Sequence, residues 1–215
     1  MRTMRDLSYD KDTGYYENRL KMVQNYPKFN KDKICLNFGC GPMILDGWKN
    51  IDKYYKHPQV IQADVGGIGW TSDVGIGDSD SVDLVFSSHF LEHVPFHVAK
   101  SILTTWYNVL KPGGRMVLVV PDLENIMVGM LDKTMDFDIR YEWLMLAMYG
   151  YQRDPNIAWH NRSNNDKIDY GQIHYCGFTK EFLGKHLTEM GYEVEDLWTY
   201  NGYDTPSLFC QAIKK

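Results

Sequence analysis

The chain predicts an α/β fold of the doubly wound kind: a mostly parallel sheet of about seven strands, closed by an antiparallel C-terminal strand. Three observations predict it. Short apolar runs alternate with amphipathic stretches from Ile34 to Pro121. The first run, Ile34-Cys35-Leu36-Asn37-Phe38, enters a tight turn, Gly39-Cys40-Gly41-Pro42. Acidic residues, Asp52 and Asp64, then close the next two apolar runs. A turn without side chains lets a ligand approach the backbone, and strand-end carboxylates accept hydrogen bonds from hydroxyls or an amine. Together they describe a nucleoside site.

The elements follow in order. Residues 1–33 are polar and Tyr-rich, with helical spacing from Tyr15 to Tyr26 that Pro27 stops, and read as an N-terminal helical cap. Strands are expected at Ile34–Phe38, Lys49–Asp52, Val60–Ala63, Val82–Ser87 and Arg115–Val120. The last is continuously apolar, as a strand buried on both faces must be. Gly66–Ser81, rich in Gly, Asp and Ser, reads as an exposed loop. A helix is expected over Phe96–Leu110, with Val98, Ile102, Trp106 and Val109 on its apolar side. Lys111-Pro112-Gly113-Gly114 stops it.

Residues 122–173 break the rhythm, apart from a helix expected at Arg140–Tyr149. An insertion of this length after a central strand reads as a substrate lid. The segment 174–215 returns to order. Thr179 caps a helix running to Met190, Gly191 closes it, and strands follow at Tyr192–Tyr200 and Ser207–Ile213. One domain is expected, with a core at 34–121 that carries the ligand site.

Composition excludes several classes. The 44% apolar content rules out a largely disordered chain. A net charge of −5, with no basic stripe, argues against a nucleic-acid partner. No apolar run approaches a membrane span, and the N-terminus has no apolar signal core, so a soluble cytoplasmic protein is expected. The four cysteines stand apart without a C-x-x-C pair, so neither a disulfide frame nor a zinc knuckle is expected.

The ligand is narrowed by what is missing. Gly39-Cys40-Gly41 lacks the third glycine of a dinucleotide fingerprint, and no G-x-x-x-x-G-K-[ST] phosphate loop occurs. Leu36-Asn37-Phe38-Gly39-Cys40-Gly41-Pro42 is followed by Gly47-Trp48-Lys49-Asn50-Ile51-Asp52 and Ala63-Asp64. Asp83-Leu84-Val85-Phe86-Ser87-Ser88-His89-Phe90-Leu91-Glu92-His93, Val109-Leu110-Lys111-Pro112-Gly113-Gly114 and Val120-Pro121-Asp122 complete the series. In this order the blocks resemble the class I S-adenosylmethionine-dependent methyltransferases, whose fold is Rossmann-like, and more closely the type-11 methyltransferase domain.

The resemblance implies S-adenosylmethionine as cofactor. It also implies roles: Gly39, Cys40 and Gly41 against the methionine and ribose, Asp52 on the ribose hydroxyls, and Asp64 with Val65 at the adenine. Ser87, Ser88 and His89 would lie near the sulfonium. Asn37 stands where many members carry an acid and would face the methionine ammonium without a charge partner.

Methyl transfer to a hydroxyl needs alignment and a base, and histidine suits that near neutral pH. His174, between the insertion and the last helix, is the first candidate; His89 is the second. The Asp/Asn-Pro-Pro-Tyr motif of amino-methylating nucleic-acid enzymes and a Pro-Cys nucleophile are both absent. The expected acceptor is a small molecule, methylated at oxygen, such as a sugar or other hydroxyl compound. The rivals are a non-catalytic S-adenosylmethionine-binding module, an NAD-dependent oxidoreductase and a zinc hydrolase.

The zinc reading comes from His89-Phe90-Leu91-Glu92-His93, which matches H-x-x-E-H, with His97 beyond it. Pro95 interrupts a shared helix face, so no metal is expected. Glu92 and His93 read instead as a hydrogen-bonded turn.

Overall fold

A computed structural model describes residues 33–66, 69–77, 79–137, 140–141, 144–150, 173–202 and 205–215. The expected N-terminal cap, apart from Lys33, and residues 151–172 of the expected lid lie outside these residues.

The strands are β1 (Cys35–Phe38), β2 (Lys49–Asp52), β3 (Val60–Gln62), β4 (Val82–Ser88), β5 (Leu110–Pro121), β6 (Tyr192–Gly202) and β7 (Thr205–Lys214). They form one sheet in the order β3-β2-β1-β4-β5-β7-β6. The first five pair in parallel, and β7 runs antiparallel to both β5 and β6. This is the doubly wound sheet with an antiparallel close. Its order reverses between β1 and β4, so their carboxyl ends flank a crevice where α/β folds place their ligands.

The helices are α1 (Trp70–Val74), α2 (Phe96–Val109), α3 (Leu123–Leu131), α4 (Leu144–Tyr149) and α5 (Lys180–Glu189). Helix α2 turns Ala99, Ile102, Leu103, Trp106 and Val109 into the core. Phe38 stacks on Trp106 with ring centroids 4.9 Å apart and meets Trp70 edge-on at 5.1 Å. The core thus seats itself directly beneath the end of β1 and holds the following turn in place.

Several expectations need correction. Gly66–Ser81 is not simply an exposed loop, because α1 folds within it and buries Trp70 and Val74. Tertiary burial of two apolar residues outweighs the local Gly and Asp content. Strand β5 begins at Leu110, and Lys111–Gly114 bulges from it: Val82 pairs with Leu110 and Leu84 with Arg115. Helix α3 was not foreseen; Asp122 caps it by accepting from the Asn125 backbone N–H. Helix α4 covers Leu144–Tyr149 of the helix expected at Arg140–Tyr149; Arg140 and Tyr141 form a π-helical turn, and 142–143 lie outside the described residues. Thr179 caps α5 as expected, accepting from the Phe182 N–H, while Met190 is the C-cap and Gly191 follows at φ +101°.

Candidate active site

The two turn glycines hold different positions. Gly39 has φ +59°, and a Cβ there would fall 2.6 Å from Phe90. Gly41 has φ +49°, with open space where a Cβ would project. Cys40 between them is buried, donates its N–H to the Ile51 carbonyl, and has its thiol pushed up to about 12 by burial and by Asp52. The turn therefore offers a ligand the face of Gly41.

Asp52 ends β2 and ties the turn to the next loop. Its Oδ2 accepts from the Gly41 N–H at 2.9 Å, and its Oδ1 accepts from Tyr54 and Tyr55, each at 2.8 Å. Each carboxylate oxygen has two lone-pair sites, so Oδ2 retains capacity for a hydroxyl. Asp64 follows β3 and is exposed, paired with Lys53 at 2.7 Å. That hydrogen bond holds its carboxyl below the usual range, opposed by partial burial. Val65 beside it is buried.

Asn37 is fully buried and looks inward. Its Nδ2 donates to the Met43 carbonyl at 2.8 Å and to Asn50 Oδ1 at 2.9 Å. Asn50 in turn binds the Leu45 N–H and carbonyl. Nothing in the sequence marked Asn50 as a partner. Asn37 Oδ1 remains buried with no hydrogen bond, and so does Ser88 Oγ at the end of β4. Ser87 donates to the Phe38 carbonyl at 3.3 Å and fastens β4 to β1.

Beyond β4 lies a cluster of three imidazoles and a carboxylate. His89 has φ +52°, an uncommon backbone state for a residue with a side chain. Its N–H donates to Val119, and its Nδ1 stands 3.2 Å from Glu92 Oε1. That contact with His89 reaches Oε1, while Oε2 is buried without a hydrogen-bond partner. Leu91–His93 is a single 3-10 turn rather than part of a long helix, and His97 is exposed on α2.

His174 arrives from far along the chain. The Tyr175 N–H donates to the Glu92 carbonyl at 2.7 Å and the His174 N–H to the Tyr149 carbonyl at 3.0 Å. The 173–176 segment is thereby laced between that turn and the end of α4. The His93 and His174 rings meet edge-on, centroids 4.8 Å apart.

The electrostatics follow from this packing. Burial alone would raise the Glu92 carboxyl, but the His89 contact and the nearby His93 and His174 outweigh it and hold it at about 2. Burial pushes the His174 imidazole below its ordinary value, partly opposed by Glu92. His174 is therefore neutral near pH 7. Its Nδ1 lies 2.9 Å from the Ala147 carbonyl oxygen, which can only accept, so Nδ1 carries the proton and Nε2 the lone pair. The structure thus brings His89 and His174 to one cluster, and adds Glu92 and His93.

Residues 49–118 match the family model of the Methyltransferase domain. That match spans about a third of the chain and carries the reading of a methyltransferase domain, whose methyl donor is S-adenosylmethionine. No curated protein matches the chain. Solved structures with a similar fold include three methyltransferases. A SAM-dependent methyltransferase from Methanosarcina mazei is 18% identical, with a TM-score of 0.59 over 90% of this chain and 96% of that one. The 1,6-didemethyltoxoflavin-N1-methyltransferase of Burkholderia thailandensis was solved with 1,6-didemethyltoxoflavin and S-adenosylhomocysteine bound. It is 13% identical, with a TM-score of 0.58 over 98% and 82% of the two chains. A SAM-dependent methyltransferase from Anabaena variabilis is 12% identical, with a TM-score of 0.56 over 94% and 85%.

The methyltransferase's own residues fit that cofactor. Gly41 leaves the space a Cβ would fill, and Asn37 Oδ1 and Ser88 Oγ are buried polar atoms without partners near the same strand ends. Among the described residues, no helix is long and apolar enough to cross a membrane.

Proposed function

We propose that the methyltransferase acts on a small-molecule acceptor rather than nucleic acid, and that the accepting atom is a hydroxyl oxygen, as in a sugar or related compound. The observation that carries this reading is the histidine–carboxylate cluster directly beyond β4. It joins His89 and His174, two groups able to take a hydroxyl proton, through Glu92, and the residue after His89, Phe90, packs on Gly39 of the turn. The absent Asp/Asn-Pro-Pro-Tyr motif and the net charge of −5 speak against a nucleic-acid acceptor. The Burkholderia structural neighbour, an N1-methyltransferase, was solved with a small molecule bound, which supports the small-molecule part of the reading and not the choice of oxygen.

S-adenosylmethionine, when bound, supplies an electrophilic methyl group. Around it the chain's residues divide the work. Gly41 exposes backbone to the methionine and ribose part, and Gly39 and Cys40 shape the turn. Asp52 receives the ribose hydroxyls. Asp64 and Val65 flank the adenine. Asn37, held inward by Met43 and Asn50, braces the turn that meets the methionine part, and Ser87, Ser88 and His89 border the reacting centre. His174, neutral with Nε2 as its basic atom, accepts the acceptor's proton in this reading, with His89 as the other candidate. The segment 122–173 closes over the acceptor as a lid.

The test is a transfer assay against a panel of hydroxyl and amine compounds, with S-adenosylhomocysteine affinity measured in parallel by calorimetry. His174→Ala should lower turnover by about a hundredfold or more and leave that affinity nearly unchanged. Equal loss of both would make His174 a structural residue. Transfer to amines alone would overturn the oxygen reading.

A further inference from the structure

We infer that Glu92, His93 and His174 form a binding site for one divalent transition-metal ion with an open coordination position. The three side chains each offer a ligand atom, and these atoms lie within 4.8 Å of one another. Tetrahedral ligation by nitrogen and oxygen at about 2.0–2.2 Å brings such atoms about an ångström closer, so the cluster contracts by that much on an ion.

Two independent features point to a ligand. Glu92 is fully buried; His89 Nδ1 meets its Oε1 at 3.2 Å, and its Oε2 has no hydrogen-bond partner. A charged group removed from water in that way is costly unless a cation meets it. The histidines are also oriented as metal ligands are. His93 Nδ1 lies 3.2 Å from the Ile173 carbonyl oxygen and His174 Nδ1 lies 2.9 Å from that of Ala147. Both rings must donate from Nδ1, which leaves each Nε2 unprotonated for a ligand. His89 Nδ1, 3.2 Å from Glu92 Oε1, is placed to support the carboxylate from behind.

Two imidazoles and one carboxylate are the donor set of catalytic zinc sites, whose remaining position takes water or substrate. The expectation of no metal considered only His89, Glu92, His93 and His97 on one helix. The third ligand instead crosses over from the segment after the insertion. If the hydroxyl-acceptor reading above holds, that open position receives the acceptor oxygen and the ion favours its deprotonation. With His174 Nε2 on the ion, His89 is the one left of the two candidate bases named above. Ion binding itself does not depend on that reading.

The test uses the full chain, stripped with a chelator and titrated with Zn²⁺ by calorimetry and with Co²⁺ by visible absorption. One ion per chain should bind, and Co²⁺ should show the intense bands of a low-coordinate site. Glu92→Gln and His174→Ala should each weaken Zn²⁺ about 100-fold, with circular dichroism and S-adenosylhomocysteine affinity retained. Should Glu92→Gln fail to fold, His174→Ala decides alone. Failure to retain Zn²⁺ at micromolar concentration, or unchanged affinity in the folded variants, would overturn the site. Metal binding without S-adenosylhomocysteine binding would instead count against the methyl-transfer reading alone.

Discussion

Gly39 and Gly41 share a left-handed backbone and differ in what surrounds them. Alanine at Gly41 incurs only the conformational cost, about 1 kcal/mol, because its Cβ meets nothing. Alanine at Gly39 adds a collision with Phe90 near that ring's own Cβ, which cannot swing aside, for a total of about 3 kcal/mol. Gly39→Ala should therefore lower the thermal midpoint far more than Gly41→Ala. Donor affinity should behave the other way in proportion: Gly41→Ala should weaken S-adenosylhomocysteine by more than its stability cost explains. Calorimetry and thermal melts of the two variants decide, and equal effects on both would remove the distinction. The G-x-G pair was legible in the sequence. Its division into a packing glycine and a ligand-facing glycine was not, because Phe90 comes from beyond β4.

At the scale of the element, α3 depends on a cap with two further tasks. Asp122 accepts from the Asn125 backbone and side chain, and its Oδ2 also accepts from Thr199 Oγ1 at 2.6 Å. The cap thus joins the helix to β6. Asp122→Ala should cost about 2 kcal/mol, part as a lost cap and part as the lost Thr199 bond. Thr179→Ala, which removes only the cap of α5, should cost about 1 kcal/mol. Urea melts would measure both, and a smaller loss for Asp122→Ala than for Thr179→Ala would contradict the bridging role. Thr179 could be read from sequence because an N-cap beside an amphipathic run is a local pattern. Asp122 was missed as a cap because Pro121-Asp122 follows the strand directly and the apolar face of α3 buries only Ile126.

Across the whole molecule, the sheet's interior sets the chemistry of its thiols. Cys40 and Cys210 are buried and each is raised from 9.0 to about 12, first by burial. A thiol with a raised folded value adds stability below its unfolded value. That contribution is lost as pH climbs from near 9 toward 12. Iodoacetamide at pH 8 should label both residues slowly in the native protein and rapidly after unfolding in urea, as mass spectrometry of the peptides would show. Fast native labelling of Cys40 would mean that the turn opens without its ligand.

The sequence by itself determined the sheet, the turn, the strand-end acids and the methyltransferase resemblance. Each of these is carried by contiguous residues: apolar runs, glycines in a tight turn, and blocks in fixed order. Tertiary structure alone decided the rest. It placed Trp70 under Phe38 and turned Asn37 toward Asn50. It brought His174 to Glu92 and His93, where a buried carboxylate lies among imidazoles drawn from distant segments. Spacing along a chain encodes which residues share one strand or one helix face. It does not encode which loops meet once the sheet has closed, and the chemistry beyond β4 is built from such a meeting.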